Sequence, residues 1–490
     1  MLMSPPKTDS QSAPVPRDVV VADLCILGAG PGGLALAARA AAFGQKVVLV
    51  EKHKMGGTSL NYGAIPVTAL IASAERAHAF RSAGPFGIAP YEPVIDRVVV
   101  AAQIADIMDK SAPNASVERM TGLGVRVIQA AGQFVDTKTL HAGEHRIVAR
   151  RFVIATGSSP VVPTIPGLPD VAYQTSDTIM TVRGGIDHLI VLGGGAAGVE
   201  LAQAYRRLGS RVTIIEQAPS VLRRYDPELA SVVRGRLAAE GVVILEDAKL
   251  AKVEGTAERL RFDVVAGGGR SRLEGTHLLL ACGRQPVTSC IGLDAAKVGV
   301  TEAGIKVNRF LRTSNRRIYA IGDVTGLPYS TQRAEYHAGL LVDTLLFRRA
   351  KPVNPRLIAH AIHSDPELAS VGLTEAEARQ SYSSIQVLRW PLRENARALA
   401  NRMPTGHIKV IADGKGSILG AGIVSSSAGE LIGMWALALS KGLTLQDMSD
   451  VIAPYPSLSE LSRQVSSQRS LATSGHAISR RWVKLLGKFG

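Results

Sequence analysis

Two stretches of the chain share one rhythm of apolar and polar positions. Val19 to Leu27 is an apolar run of strand length, broken by the turn Gly28-Ala29-Gly30-Pro31-Gly32-Gly33. An Ala/Leu-rich stretch follows to Gly44, and a second apolar run, Lys46 to Val50, ends on Glu51. Short apolar runs bounded by glycine predict buried strands, and the longer Ala/Leu run between them predicts a helix. The rhythm recurs as strand His188 to Leu192, turn Gly193-Gly194-Gly195-Ala196-Ala197-Gly198, helix to Gly209, and strand Arg211 to Ile215 ending on Glu216. The offset is the same in both: 51 − 28 and 216 − 193 each equal 23 residues.

That offset carries chemistry. In a strand-turn-helix unit the first glycine (Gly28, Gly193) permits the tight turn, the second (Gly30, Gly195) lets backbone approach a pyrophosphate, and the third (Gly33, Gly198) lets the helix pack on the strand. The helix N-terminus then turns its N–H groups toward the phosphates, and the acid at the end of the next strand accepts from a ribose hydroxyl. One glycine cluster is weak evidence. Two with matching acids at one spacing predict two dinucleotide sites and an α/β fold with two Rossmann-like domains.

Composition narrows the rest. At 490 residues with 46% hydrophobic content, the chain is long enough for about three domains with buried cores. Abundant glycine, 49 residues, and few aromatics, 4%, favour strand-helix turns over an all-β architecture. Cys25, Cys282 and Cys290 are too few and too irregular for a disulfide framework or a zinc site, so no metal is expected and a reducing, cytoplasmic setting fits. Residues 1–18, Ser/Pro-rich and without a signal-peptide core, read as a disordered leader. The net charge of +15 has a local address: Arg463, Arg469, Arg480, Arg481, Lys484 and Lys488 meet no Asp or Glu after residue 460. The remainder, spread over a large protein, reads as a solvated surface rather than a nucleic-acid groove.

Further motifs join the two fingerprints. Gly56-Gly57-Thr58-Ser59-Leu60-Asn61-Tyr62-Gly63-Ala64-Ile65-Pro66, Phe152 to Pro160, Ala281-Cys282-Gly283-Arg284-Gln285-Pro286, Ile318 to Asp323 and Ser364 to Glu375 together resemble the flavoprotein disulfide reductases, in the style of dihydrolipoamide dehydrogenase and mercuric reductase. The resemblance spans about residues 19 to 460. It implies FAD on the first fingerprint, with Glu51, Lys52, Gly57, Thr58, Thr156, Gly157, Gly283 and Asp323 among the binding residues. Asp323 takes the family's ribitol-binding role. It implies a nicotinamide cofactor on the second fingerprint, a C-terminal α+β dimerisation domain, and a homodimer. The domains it suggests are 19–160 with 286–350 for FAD, 161–285 for NAD(P), 351–462 for dimerisation, and 463–490 as a basic tail. Glu216, with Gln217 and Ala218 after it, favours NAD(H) over NADP(H), while Arg223 and Arg224 keep NADPH open.

The departures are as informative as the matches. Ser59 and Ala64 stand where the family has its two redox cysteines, and a serine hydroxyl has no comparable two-electron couple. Thr68 stands for the lysine beside flavin N5, with the partner Glu200 kept. Tyr455-Pro456-Ser457 stands for the family's His-Pro-Thr segment, with Glu460 kept. Glu200, Tyr455 and Glu460 are the candidate catalytic residues. The expected activity is NAD(P)H oxidation through FAD to a small non-disulfide acceptor, a quinone. Transhydrogenation and a non-catalytic flavin-binding scaffold are the alternatives. In the tail, Trp482, Leu485, Leu486 and Phe489 would share one helix face flanked by Arg481, Lys484 and Lys488, the pattern of a peripheral membrane contact at the inner face of a membrane.

Overall fold

A computed structural model describes residues 18–182, 184–256, 259–474 and 485–487. The chain divides into two compact units. The first combines the segments up to Asn61, Asp109–Ser159 and Arg284–Val353, and the second combines Tyr62–Met108, Pro160–Gly283 and the segment from Asn354 onward.

The first unit is built on a seven-stranded sheet. Strands Val125–Gln129, Val47–Glu51, Asp18–Leu27 and His145–Ile154 run parallel in that spatial order, and Ile318–Ala320 pairs parallel with His145–Ile154. Two short strands, Thr139–Ala142 and Gly132–Phe134, extend it antiparallel. Asp18–Leu27 is buried throughout only in its second half: Val19 and Val21 are 59% and 71% exposed, whereas Leu24 to Leu27 are buried. The expected buried strand is thus half an edge-like strand, and it begins at Asp18, inside the span first read as leader. Behind it, the Pro31–Ala42 helix packs on the Thr331–Leu345 helix, sharing a core of Leu36, Ala37 and Ala40 with Ala338 and Leu341.

The second unit carries a fully parallel sheet in the order Val243–Leu245, Arg211–Ile215, His188–Leu192, His277–Leu280, Gln174–Thr175. A three-stranded antiparallel sheet, Ala248–Gly255, Leu260–Ala266 and Gly269–Gly275, packs beside it through Phe262, Val264 and Leu278. A five-stranded antiparallel sheet, with Ile418–Ser425 at its centre, lies under the Ala428–Lys441 helix, whose Trp435 is fully buried.

Two boundaries differ from the sequence reading. Residues 62–108, read as part of the first domain, belong by contact with the second unit. The reason is the Ala64–Arg81 helix, whose Ala69, Leu70, Ala74 and Ala77 bury against Val199, Ala202 and Ala204 of the Ala196–Arg207 helix. The last described helix, Glu460–Ser474, runs through the expected domain end at 462 because Leu461 and Val465 are anchored in the Trp435 core. In the tail, Leu485 and Leu486 are exposed, and Trp482, Phe489 and the basic residues around them lie outside the described residues. Among the described residues no helix is long and apolar enough to cross a membrane.

Candidate functional site

The two glycine turns are superimposable in their steric logic. Gly28 (φ +112°) and Gly193 (φ +109°) have backbones that L side chains rarely adopt, and a Cβ on either would strike a carbonyl of the neighbouring strand, Ala155 O or Ala281 O. A Cβ on Gly33 would strike Gly28 O, and one on Gly198 would strike Gly193 O. The middle glycines differ in kind: a Cβ at Gly30 or Gly195 would meet nothing within 4 Å. The outer glycines are therefore required by the chain's own backbone, whereas the middle ones border open space where a ligand backbone can approach. Each turn opens a helix whose first N–H groups carry no side-chain cap, as phosphate binding needs. The residues present fit a dinucleotide at both turns.

The strand-end acids brace the turns as well. Glu51 accepts the N–H of Ala29 at 2.7 Å and of His53 at 2.8 Å, and Glu216 accepts the N–H of Gly194 and of Ala218, both at 2.6 Å. Each carboxylate oxygen keeps a second lone pair for a ribose hydroxyl. Lys52, Arg223 and Arg224 are exposed.

Around the first turn the structure assembles a polar cluster that sequence reasoning only partly found. Asp323 accepts the hydroxyl of Ser158 at 2.7 Å and the N–H of Ser330 at 3.2 Å, and burial holds its pKa above the usual carboxylate range. Arg284 donates to the Ser158 hydroxyl (2.9 Å) and carbonyl (2.8 Å) and reaches the Thr58 hydroxyl at 3.3 Å. Thr156 donates to Val287 O at 2.7 Å, and Gly157 turns at φ +72°. Arg333, itself buried, holds the loop after Asp323 by donating to Gly326 O, to Pro328 O (3.1 Å) and to the Thr325 hydroxyl (3.0 Å). His337 is 1% exposed and accepts the N–H of Gly322 through Nδ1; burial and the Arg333 charge push its pKa down to about 3, so it stays neutral. Ser158 and Arg284 lie inside motifs already singled out but were given no role, and Arg333 and His337 were missed, their only signal being position after the Ile318–Asp323 motif.

At the family's cysteine positions the chemistry is that of hydroxyl and methyl groups. The Ser59 hydroxyl pairs with the Thr331 hydroxyl at 2.5 Å, and Ala64 opens the Ala64–Arg81 helix, exposed. The three cysteines are all free. Cys25 is buried with its thiol pKa pushed up, and Cys282, though exposed at the surface, is pushed up to about 11 by partial desolvation and by Glu216, so both are protonated, poor nucleophiles at neutral pH.

The remaining candidates lie in the second unit. Glu200 accepts the N–H of His363 at 2.8 Å, and burial raises its pKa. Thr68 is exposed and makes no hydrogen bond to Glu200. Tyr455 is 75% exposed, and Glu460 at the start of the last described helix pairs with Arg463 at 3.1 Å. Gly283 turns at φ +102°. One group among the described residues, His78, Glu240 and Asp365, has metal-ligand spacing, but Arg207 occupies both carboxylates at 2.6 Å and Arg236 pairs with Glu240 at 2.8 Å. Two guanidinium charges already fill that geometry, which makes it an ion-pair network.

Comparison with known proteins agrees with this geometry. The family model for pyridine nucleotide-disulphide oxidoreductases matches residues 22–338, and that family's dimerisation domain matches 358–465. Mercuric reductase from Bacillus cereus is 32% identical over 440 residues, 89% of this chain and 70% of that protein. Dihydrolipoyl dehydrogenase from Thermus scotoductus is 34% identical over 444 residues, 89% and 95% of the two chains. Among solved structures, LpdA from Mycobacterium tuberculosis superposes with a TM-score of 0.83 at 26% identity, covering 92% of this chain and 99% of that one. The HOCl-induced flavoprotein disulfide reductase RclA from Escherichia coli gives 0.79 at 27%, covering 91% and 99%. The chain belongs to the pyridine nucleotide-disulphide oxidoreductase family: it is an FAD-dependent pyridine nucleotide oxidoreductase with that family's dimerisation domain.

Proposed function

We propose that this homodimeric flavoprotein oxidises NADH, in preference to NADPH, and passes the electrons from FAD directly to a small non-disulfide acceptor, a quinone. The observation that carries the reading is the absence of sulfur where the family stores electrons: Ser59 is tied to Thr331, Ala64 is a methyl group, and no cysteine pair exists elsewhere. When bound, FAD accepts a hydride and releases electrons singly or in pairs.

The chain's residues then bind, orient and hold protons. Gly28, Gly30 and Gly33 let backbone meet the flavin nucleotide's pyrophosphate, with Glu51 and Lys52 at its adenosine end and Gly57, Thr58, Thr156, Gly157 and Asp323 along the rest. Gly283 sits at the return crossing. Gly193, Gly195 and Gly198 take the nicotinamide nucleotide, and Glu216 accepts its free ribose hydroxyl, where a 2′-phosphate would meet a like charge. The two nucleotides fall to 19–160 with 286–350 and to 161–285, less residues 62–108, which pack with the second unit, and the dimerisation domain runs from 351 through the Glu460–Ser474 helix. Glu200, whose pKa burial raises, is the candidate proton donor, Tyr455 is a candidate phenol donor to the acceptor, and Glu460 is held by Arg463.

Anaerobic mixing with NADH tests this. Rapid bleaching of the flavin, followed by reoxidation with a benzoquinone, supports it; a flavin that stays oxidised supports a scaffold, and reoxidation only by a thionicotinamide nucleotide supports transhydrogenation. The double variant S59C/A64C should gain no lipoamide turnover, because Tyr455-Pro456-Ser457 stands where the family has its histidine; ready turnover by that variant would sink this account.

A further inference from the structure

We propose that Glu75 is the solvent-side entry of a proton route that runs through one small cavity to Glu200 and supplies the proton which the hydride does not carry; the proposal rests on the flavin-to-acceptor reading above. The cavity lies along the seam of the Ala64–Arg81 and Ala196–Arg207 helices, and Glu75, Glu200, Gln203, Arg207, His363 and Asp365 line it. It has room for about one water molecule.

The polar groups on its wall fall into two kinds. Gln203, Arg207 and Asp365 are committed. Gln203 donates to Asp365 O at 2.8 Å and accepts the Asp365 N–H at 2.8 Å, while Arg207 is held between Glu240 and Asp365. Glu75 and Glu200 are not. Glu75 is an exposed residue of the lining and, among the described residues, makes no hydrogen bond or ion pair, and Glu200 accepts among them only the His363 N–H, which leaves most of its carboxyl free. A group that shuttles a proton must exchange partners, so the two uncommitted acids facing one cavity are the ones able to do so.

Their surroundings suit the task. Burial raises the pKa of Glu200, and partial loss of solvent around the Glu75 carboxyl moves it the same way despite its surface position, so each retains a proton at a higher pH than an open carboxyl. Asp365 and Glu367 push Glu75 the same way, and Arg207 and Arg76 oppose them. Glu200 faces His363 and Glu367, together with Tyr225, whose phenol is pushed up to about 12 and stays a neutral neighbour. His363 is held toward its cationic form by Glu367 first, with Glu200 and Glu430 adding to it.

The balance is simple. NADH + H⁺ + quinone gives NAD⁺ + hydroquinone: the nicotinamide C4–H bond breaks and takes two electrons with it, and one further proton comes from water. That proton passes from Glu75 through the cavity to Glu200 and ends on the acceptor, and Glu200 is reprotonated along the same route. Glu75 acts through Glu200 and is a positioning residue for the proton.

The test compares acceptors on the FAD-loaded enzyme. Benzoquinone and dioxygen each need a proton beyond the hydride, whereas ferricyanide needs none. E75Q should slow reoxidation by benzoquinone and by dioxygen about tenfold above pH 7. It should change ferricyanide reduction less than twofold, and E75D or added acetate should restore most of the loss. Equal losses with all three acceptors, or no loss with benzoquinone and dioxygen, would overturn the route. If the wild type reacts with dioxygen but with no quinone, the acceptor assignment fails while the dioxygen arm still decides the route. A flavin that NADH cannot bleach overturns both.

Discussion

The turns Gly28–Gly33 and Gly193–Gly198 have the same backbone demands, the same open space at the middle glycine and the same bracing acid, yet they sit in different polar surroundings. In the first unit the turn stands with a cross-tied set: Asp323 on Ser158, Arg284 on Ser158 and Thr58, Arg333 on the loop after Asp323, and His337 on Gly322. Around the second turn, among the described residues, Glu216 accepts only from backbone N–H groups, and Arg223 and Arg224 are exposed and form no ion pair. A ligand that stays is served by a rigid, over-determined cradle, and a ligand that comes and goes by a lightly built one. The difference matches a resident flavin and an exchanging nicotinamide nucleotide.

The largest expected effect separates the turns outright. G33V forces side-chain atoms onto Gly28 O and should weaken FAD retention about a hundredfold, giving colourless protein. G198V makes the same clash with Gly193 O but should yield a yellow protein that NADH no longer bleaches. If both variants lost the flavin equally, the comparison would collapse; absorbance after gel filtration decides it.

One source of acid sensitivity lies in the first unit, at His337. With its pKa near 3, His337 refuses in the folded state a proton that the unfolded chain takes up below about pH 6.5. Stability is therefore full above that pH and is lost as pH falls toward 3, by about 2 kcal/mol at pH 5. H337N, whose amide oxygen can still accept the Gly322 N–H, should flatten the loss. Urea midpoints for flavin release at pH 7.5 and 5.0 measure it, and parallel losses in the two proteins would dispose of the idea.

Nucleotide choice should belong to the second. E216Q removes the negative charge but keeps an acceptor, so the ratio of kcat/KM for NADPH to that for NADH should rise about tenfold. An unchanged ratio would move specificity away from Glu216. The smallest effect concerns the tail: deleting residues 479–490 should lower binding to anionic vesicles several-fold at physiological salt, while NADH oxidation stays intact. Unchanged vesicle binding would remove the membrane contact.

Much of this was legible along the chain. The strands His188–Leu192 and Arg211–Ile215 fall where the apolar runs placed them, and Gly44 and Gly209 stand just past helices that end at Ala42 and Arg207. These features are local: run length, glycine position and a fixed offset suffice. Asp323 and Glu200 were singled out through motif resemblance, but their partners were not, since Ser158 is 165 residues from Asp323 and His363 is 163 from Glu200. Nor did the alternation in the first strand register, because a run of valines looks buried whether or not a neighbouring element covers both faces.

By itself the sequence determined that two nucleotide turns exist, that each carries an acid at one spacing, and that no sulfur stands at residues 59 and 64. Those are statements about covalent order and backbone sterics, which act over a few residues. Tertiary structure alone decided which polar groups are committed and which are free: Arg207 locked by Glu240 and Asp365, Glu75 left without a partner among the described residues, His337 kept neutral against Gly322. Burial and pairing set how readily a group holds or releases a proton, and both depend on segments that meet only when the chain folds.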